Sequence, residues 1–190
     1  MRRRDTSGRC QSGRSGGHTL IELLIVLVLA GVLLGIAAPS FQQSLQRMRL
    51  QAAVNDLVAA IDLTRAQAIA RGGKVTMVPT GELWHSGWLV FIDSNANRHL
   101  DSDETLLYQH APLHESINIA DKFTSGGTPT YIAYNAAGRT CSATSSLTAR
   151  WGTLSIKQGQ QSRNVKINML GRVRVCDPAA GNADCSGVAD

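Results

Sequence analysis

Residues 16–41 read GGHTLIELLIVLVLAGVLLGIAAPSF. Leu20 to Ala38 is a run of 19 residues with one charge, Glu22. A helix of that length rises roughly 28 Å, about the thickness of a bilayer's hydrocarbon core. Five arginines precede it: Arg2, Arg3, Arg4, Arg9 and Arg14. Positive charge flanking a span stays in the cytoplasm, so the run predicts a membrane anchor with everything downstream on the far side. A secretory signal peptide has a shorter apolar region and ends in a small-residue cleavage site, which Pro39-Ser40-Phe41 is not. A plain anchor leaves Glu22 unexplained, because an ionisable group inside a span is costly and marks a function.

The string G-H-T-L-I-E followed by a long apolar helix resembles the class III signal of type IV pilins and of the pseudopilins of type II secretion. The resemblance covers Gly17 to Pro39. It implies that a prepilin peptidase cuts after Gly17 and that the new N-terminus, His18, is methylated. His18 departs from the Phe or Met usual there. It also implies a role for Glu22, which meets the N-terminal ammonium of a neighbouring subunit. An unpaired buried charge is expensive, so that pairing favours assembly and sets register.

The formal charge of +5 belongs to the segment ahead of the cut. Met1–Gly17 holds five arginines and Asp5, and its loss leaves 14 basic against 13 acidic residues. Beyond Pro39 the helical period persists. Val54, Leu57, Val58 and Ile61 recur at i, i+3, i+4 and i+7, extended by Leu50, Ala68 and Ile69. Gly72-Gly73 is a helix stop. One helix is predicted from about Thr19 to Arg71, bent at Pro39. Residues 18–39 form the membrane and assembly segment, and 40–73 the amphipathic half.

From residue 74 to 190 the pattern changes to short β-branched and aromatic runs between Gly, Pro, Asn and Asp. Strands are expected at Lys74–Val78, Gly87–Ile92, Thr105–Gln109, Ser116–Ile119, Thr130–Tyr134, Thr153–Ile156, Asn164–Met169 and Arg172–Cys176. The fold class is α+β: a long N-terminal helix packed on an antiparallel β domain of two sheets.

Asp93, Asn95, Asn97, Asp101 and Glu104 fall at positions 1, 3, 5, 9 and 12 of a calcium loop. Arg98 replaces the turn glycine and adds a positive charge, so a hydrogen-bonded hairpin loop competes with that reading. The histidines form no metal-binding spacing, no cofactor motif appears, and no nucleophile has a catalytic setting. The expectation is a non-enzyme without cofactor. Cys10 leaves with the leader, and three thiols cannot all pair within one chain. Cys176 and Cys185 enclose turn formers and are the first choice for a disulfide, with Cys141 to Cys176 the alternative.

Charge is split along the domain. From Glu82 to Asp121 there are seven acids and one base, Arg98. From Lys122 to Cys176 there are eight bases and no acid. Such a surface fits a polyanion. Within it, residues 162–176, SRNVKINMLGRVRVC, read as two strands around a turn at Leu170-Gly171. Val165, Ile167 and Met169 alternate to one face. Arg172 and Arg174 share the other, with Lys166 or Arg163 close by. Guanidinium forks suit phosphate oxygens, and Gly171 lets a backbone approach.

GRVR here, with GWLVFIDSNANRHLDSDETLL upstream, resembles the GspH/FimT family, most of all its FimT-type minor pilins implicated in DNA uptake during natural transformation. The resemblance implies DNA, other major and minor pilins and the prepilin peptidase as partners. It also implies residence in the inner membrane before assembly into a pilus. The alternative is a structural GspH-like pseudopilin that binds no nucleic acid.

Overall fold

The computed structural model describes Gly17, residues 19–124 and 127–181, and Cys185. His18 and most of the leader lie outside the described residues. The chain forms two compact units, residues 1–42 and 43–190.

One helix, α1, runs from Leu20 to Arg71 with Pro39 inside it. Its start is capped: Glu22 N–H donates to the Thr19 hydroxyl (3.3 Å) and carbonyl (3.1 Å). Its end is a glycine stop. Gly72 takes φ +62°, its N–H bonds the Ile69 carbonyl (3.2 Å), and Gly73 N–H bonds that of Ala68 (3.1 Å). In the first unit the large apolar side chains from Leu20 to Leu34 are exposed, and the helix is long and apolar enough to cross a membrane.

In the second unit the same helix buries Leu50, Val54, Leu57, Ile61 and Ala68, as its period predicts. Ala53, Ala60 and Thr64 widen the stripe. Ile69 does not join it: it is 50% exposed, beside the glycine of a loop at Gly138.

Among the described residues eight strands follow: β1 Val75–Pro79, β2 Trp88–Phe91, β3 Leu106–His110, β4 Ile117–Phe123, β5 Ile132–Tyr134, β6 Gly152–Gln158, β7 Gln161–Ile167 and β8 Val173–Cys176. Every pairing is antiparallel. They make two four-stranded sheets, ordered β3-β2-β1-β5 (sheet A) and β4-β6-β7-β8 (sheet B). Strands β6 and β7 run longer than their sequence pattern. They meet in a two-residue turn at Gly159-Gln160, where Gly159 takes φ +56°.

One core cluster joins the helix residues to Val75, Met77, Val90 and Ile132 of sheet A and Ile119, Leu154, Ile156, Val165 and Ile167 of sheet B. A second joins Val78, Phe91 and Ala133, from the other face of sheet A, to Tyr131, Cys141 and Ala143.

Candidate polyanion-binding face

Register sorts the side chains of sheet B. Ile117, Ile119, Leu154, Ile156, Val165 and Ile167 point to the core. The opposite face carries Asn118, Ala120 and Lys122 from β4, Thr153, Ser155 and Lys157 from β6, Ser162, Asn164 and Lys166 from β7, and Arg174 and Cys176 from β8. No acid stands among these positions. Lys122 pairs with Thr153, Thr153 with Lys166, and Lys166 with Arg174, so one cross-strand row holds three bases. Neighbouring strands lie about 4.8 Å apart, which keeps Lys166 and Arg174 within reach of one phosphate group.

Arg172 follows the same parity one step beyond β8 and is exposed, as is Arg174. The turn that carries it is tied down. Asn168 Oδ1 accepts the N–H groups of Leu170 (3.0 Å) and Arg172 (2.9 Å). The Tyr134 hydroxyl donates to the Gly171 carbonyl (3.1 Å), and the Thr140 hydroxyl to that of Asn168 (3.1 Å).

Three expectations for this hairpin are corrected. Gly171 is not an open approach for a ligand backbone. It is buried at φ +78°, and a Cβ there would meet the Gly138 carbonyl oxygen at 2.4 Å and the Tyr134 ring at 2.6 Å. Arg163 has the parity of Val165 and Ile167, so it takes the other face, where it pairs with Asp177 at 2.7 Å. Met169 is 50% exposed, because it sits in the turn past the end of β7.

The sequence reading missed Arg139. Residues 135–139 and 168–172 read Asn-Ala-Ala-Gly-Arg and Asn-Met-Leu-Gly-Arg. In the first turn, Asn135 Oδ1 accepts the N–H groups of Ala137 and Arg139, as Asn168 does in the second. The two turns touch through Gly138 and Gly171, and Arg139 is exposed on the first. The repeated Asn-x-x-Gly-Arg string was the signal. One base leaves the surface: Arg150 is 3% exposed, its guanidinium 3.8 Å from the Tyr131 ring centroid and 5.2 Å from that of Phe123. Burial lowers its pKa.

The acidic loop closes on itself. Asn95 and Asn97 amides both donate to Asp101 Oδ2 (2.8 and 2.7 Å), and these hydrogen bonds hold the Asp101 carboxyl below its usual range. Glu104 accepts the N–H groups of Ser94 (2.7 Å) and Asp101 (3.3 Å). Asp93 accepts that of Arg98 (3.2 Å), and its Oδ1 is buried without a hydrogen-bond partner. Arg98 itself adopts φ +67°, the conformation expected of a glycine there, and its side chain reaches the Pro129 carbonyl at 3.4 Å. Among the described residues no group of three His, Cys, Asp or Glu side chains is placed to hold a metal. The arrangement is a self-bonded hairpin loop.

Cys176 and Cys185 are disulfide-bonded, with Cα atoms 5.9 Å apart. Asn164 Nδ2 donates to the Cys185 carbonyl (2.8 Å), so Cys185 lies against the outer face of sheet B. Cys141 is a buried free thiol, its pKa pushed up to about 11 by burial.

Residues 53–171 match the family described as Type II transport protein GspH, and residues 12–38 match the prokaryotic N-terminal methylation motif. The pilin-like protein PilA1 of Thermus thermophilus is 32% identical over 162 residues, 84% of this chain and 97% of that protein. The crystal structure of the type IV minor pilin FimU of Pseudomonas aeruginosa shares the fold. Its TM-score is 0.50 at 18% identity, over 70% of this chain and 92% of FimU. The minor pseudopilin EpsH of Vibrio cholerae gives a TM-score of 0.48 at 13% identity, over 68% of this chain and 98% of its own.

Proposed function

This chain belongs to the GspH family of type IV pilin-like proteins, and we propose that it acts as a FimT-type minor pilin that holds DNA by its phosphates. Its place is that of a minor pilin or pseudopilin in a type IV pilus or type II secretion system. The observation that carries the finer reading is the cross-strand row of Lys122, Lys166 and Arg174, continued by Arg172, on a sheet face without an acid. Contacts of this kind grip phosphate and carry little sequence information. Arg139, on the twin turn, extends the same positive edge.

The test is DNA binding by the full chain in detergent across a salt series. On duplex, log affinity falls with log salt at a slope of about −0.9 per phosphate neutralised, so three contacts give about −3. The absence of any salt-sensitive binding would refute the reading. It would favour the second one, a structural GspH-like subunit, which the GspH match over residues 53–171 supports.

In this reading the chain is cut by prepilin peptidase after Gly17 and methylated at His18. It is inserted with its leader in the cytoplasm, waits in the inner membrane once cut, then joins major and minor pilins. Glu22 pairs with a neighbour's N-terminal ammonium. N-terminal sequencing of pili should begin at His18. Glu22→Ala should still be cleaved yet enter filaments poorly, and normal incorporation of that variant would remove the pairing argument.

A further inference from the structure

Trp151 precedes β6 and is 43% exposed, whereas Trp84 and Trp88 are fully buried. Its backbone is fixed by the residue that follows β4: its carbonyl accepts Thr124 N–H (3.0 Å), and its N–H donates to the Thr124 hydroxyl (3.2 Å). The residue has the parity of Thr153, the centre of the basic row, so its ring belongs to the same outer face. One step past the end of the ladder it falls opposite Asn168, whose own partner is Arg172. A groove of about 310 Å³ joins Trp151 to Lys122, Thr153 and Lys166. A tryptophan is thus set beside bases from two strands, Lys122 of β4 and Lys166 of β7.

A large apolar ring left half in water on a basic face has a use that phosphate binding alone does not supply. A nucleobase freed from its stack presents a π-face, and stacking on an aromatic side chain is tolerant of base identity. In a duplex the bases are already stacked inside, and only the phosphates reach such a surface. We propose that the groove beside Trp151 binds single-stranded DNA, with a base stacked on the indole and the flanking phosphates on Lys122, Lys166 and Arg174. This rests on the DNA-binding reading above and specifies its substrate as the single strand.

The test uses the full chain in detergent with three probes of equal length: a thymidine oligonucleotide, an abasic oligonucleotide with the same phosphates, and a duplex. With the other two tryptophans buried, emission quenching reports Trp151. The thymidine strand should quench it and bind about tenfold more tightly than the abasic strand. Trp151→Ala should lower affinity for the thymidine strand about tenfold, and leave duplex affinity within about twofold. Trp151→Phe keeps a ring to stack on, so it should retain most of the affinity while the quench disappears. Equal affinity for thymidine and abasic strands, or binding without quenching, would overturn the stacking site and leave phosphate binding standing. Failure of all three probes to bind would overturn both readings. If Trp151→Ala instead blocked incorporation into pili with strand binding intact, the ring would be a pilin contact and the proposal wrong.

Discussion

Sheet A and sheet B are built from similar strands, yet they treat their two faces differently. In sheet A, Met77, Val90 and Ile132 face the helix, and Val78, Phe91 and Ala133 face a second cluster roofed by Tyr131, Cys141 and Ala143. Strand β1 is buried along its whole length. In sheet B only one face is apolar, and the other presents lysines and arginines. Sheet A has apolar clusters on both faces; the outer face of sheet B is polar and carries the basic row. The domain's overall charge balance hides this, because four acids, Asp93, Asp101, Asp103 and Glu104, gather in the loop between β2 and β3, and Arg150 is buried between rings.

That contrast can be broken most severely in sheet A. Phe91 is fully buried in the second cluster. Phe91→Ala should cost about 3–5 kcal/mol in a denaturant melt, while the folded fraction keeps its DNA affinity. A loss under about 1 kcal/mol would mean that this face is not a true core.

Next comes the joint between the sheets. Gly171→Ala must place a Cβ against the Gly138 carbonyl at positive φ, and should destabilise by about 2–3 kcal/mol. A glycine there only for close approach of a ligand would lower affinity with the melting temperature unchanged.

The smallest effect on stability should come from sheet B. Arg172→Ala with Arg174→Ala should leave the melt unmoved, since both side chains are exposed. It should weaken binding alike on any sequence and flatten the salt slope by about two. Asp101→Asn with Asp103→Asn, in the acidic loop, should not weaken binding. A gain in the acid-loop variant as large as the loss in the arginine variant would mean that net charge, not the basic face, does the binding.

The helix and all eight strands were legible because their signals are local: a 3.6-residue period, then β-branched runs between turn formers. The two sheets were expected, but which strands share a sheet was not legible, because β1 pairs with β5 and β4 with β6 across long stretches of chain. Parity found Lys166 beside Arg174 but was not applied to Arg163, three positions from Lys166 and therefore on the other face. Gly171 was misread because its reason lies in another strand, at Tyr134, which no local pattern reports. Arg150 gave no warning of burial, since the rings that receive it come from distant segments.

The docked turn has a mechanical consequence. Among the described residues strand β8 is an edge, paired in the sheet with β7 alone, and an edge hairpin pulled from its tip would peel open one bond at a time. In the proposed reading, a polyanion held by Arg172 and Arg174 would pull close to that tip. There the Tyr134 and Thr140 hydroxyls hold the backbone at both ends of the turn. Tension on the strand therefore passes into the fully buried strand β5 of sheet A, and the hairpin is loaded as part of the whole domain.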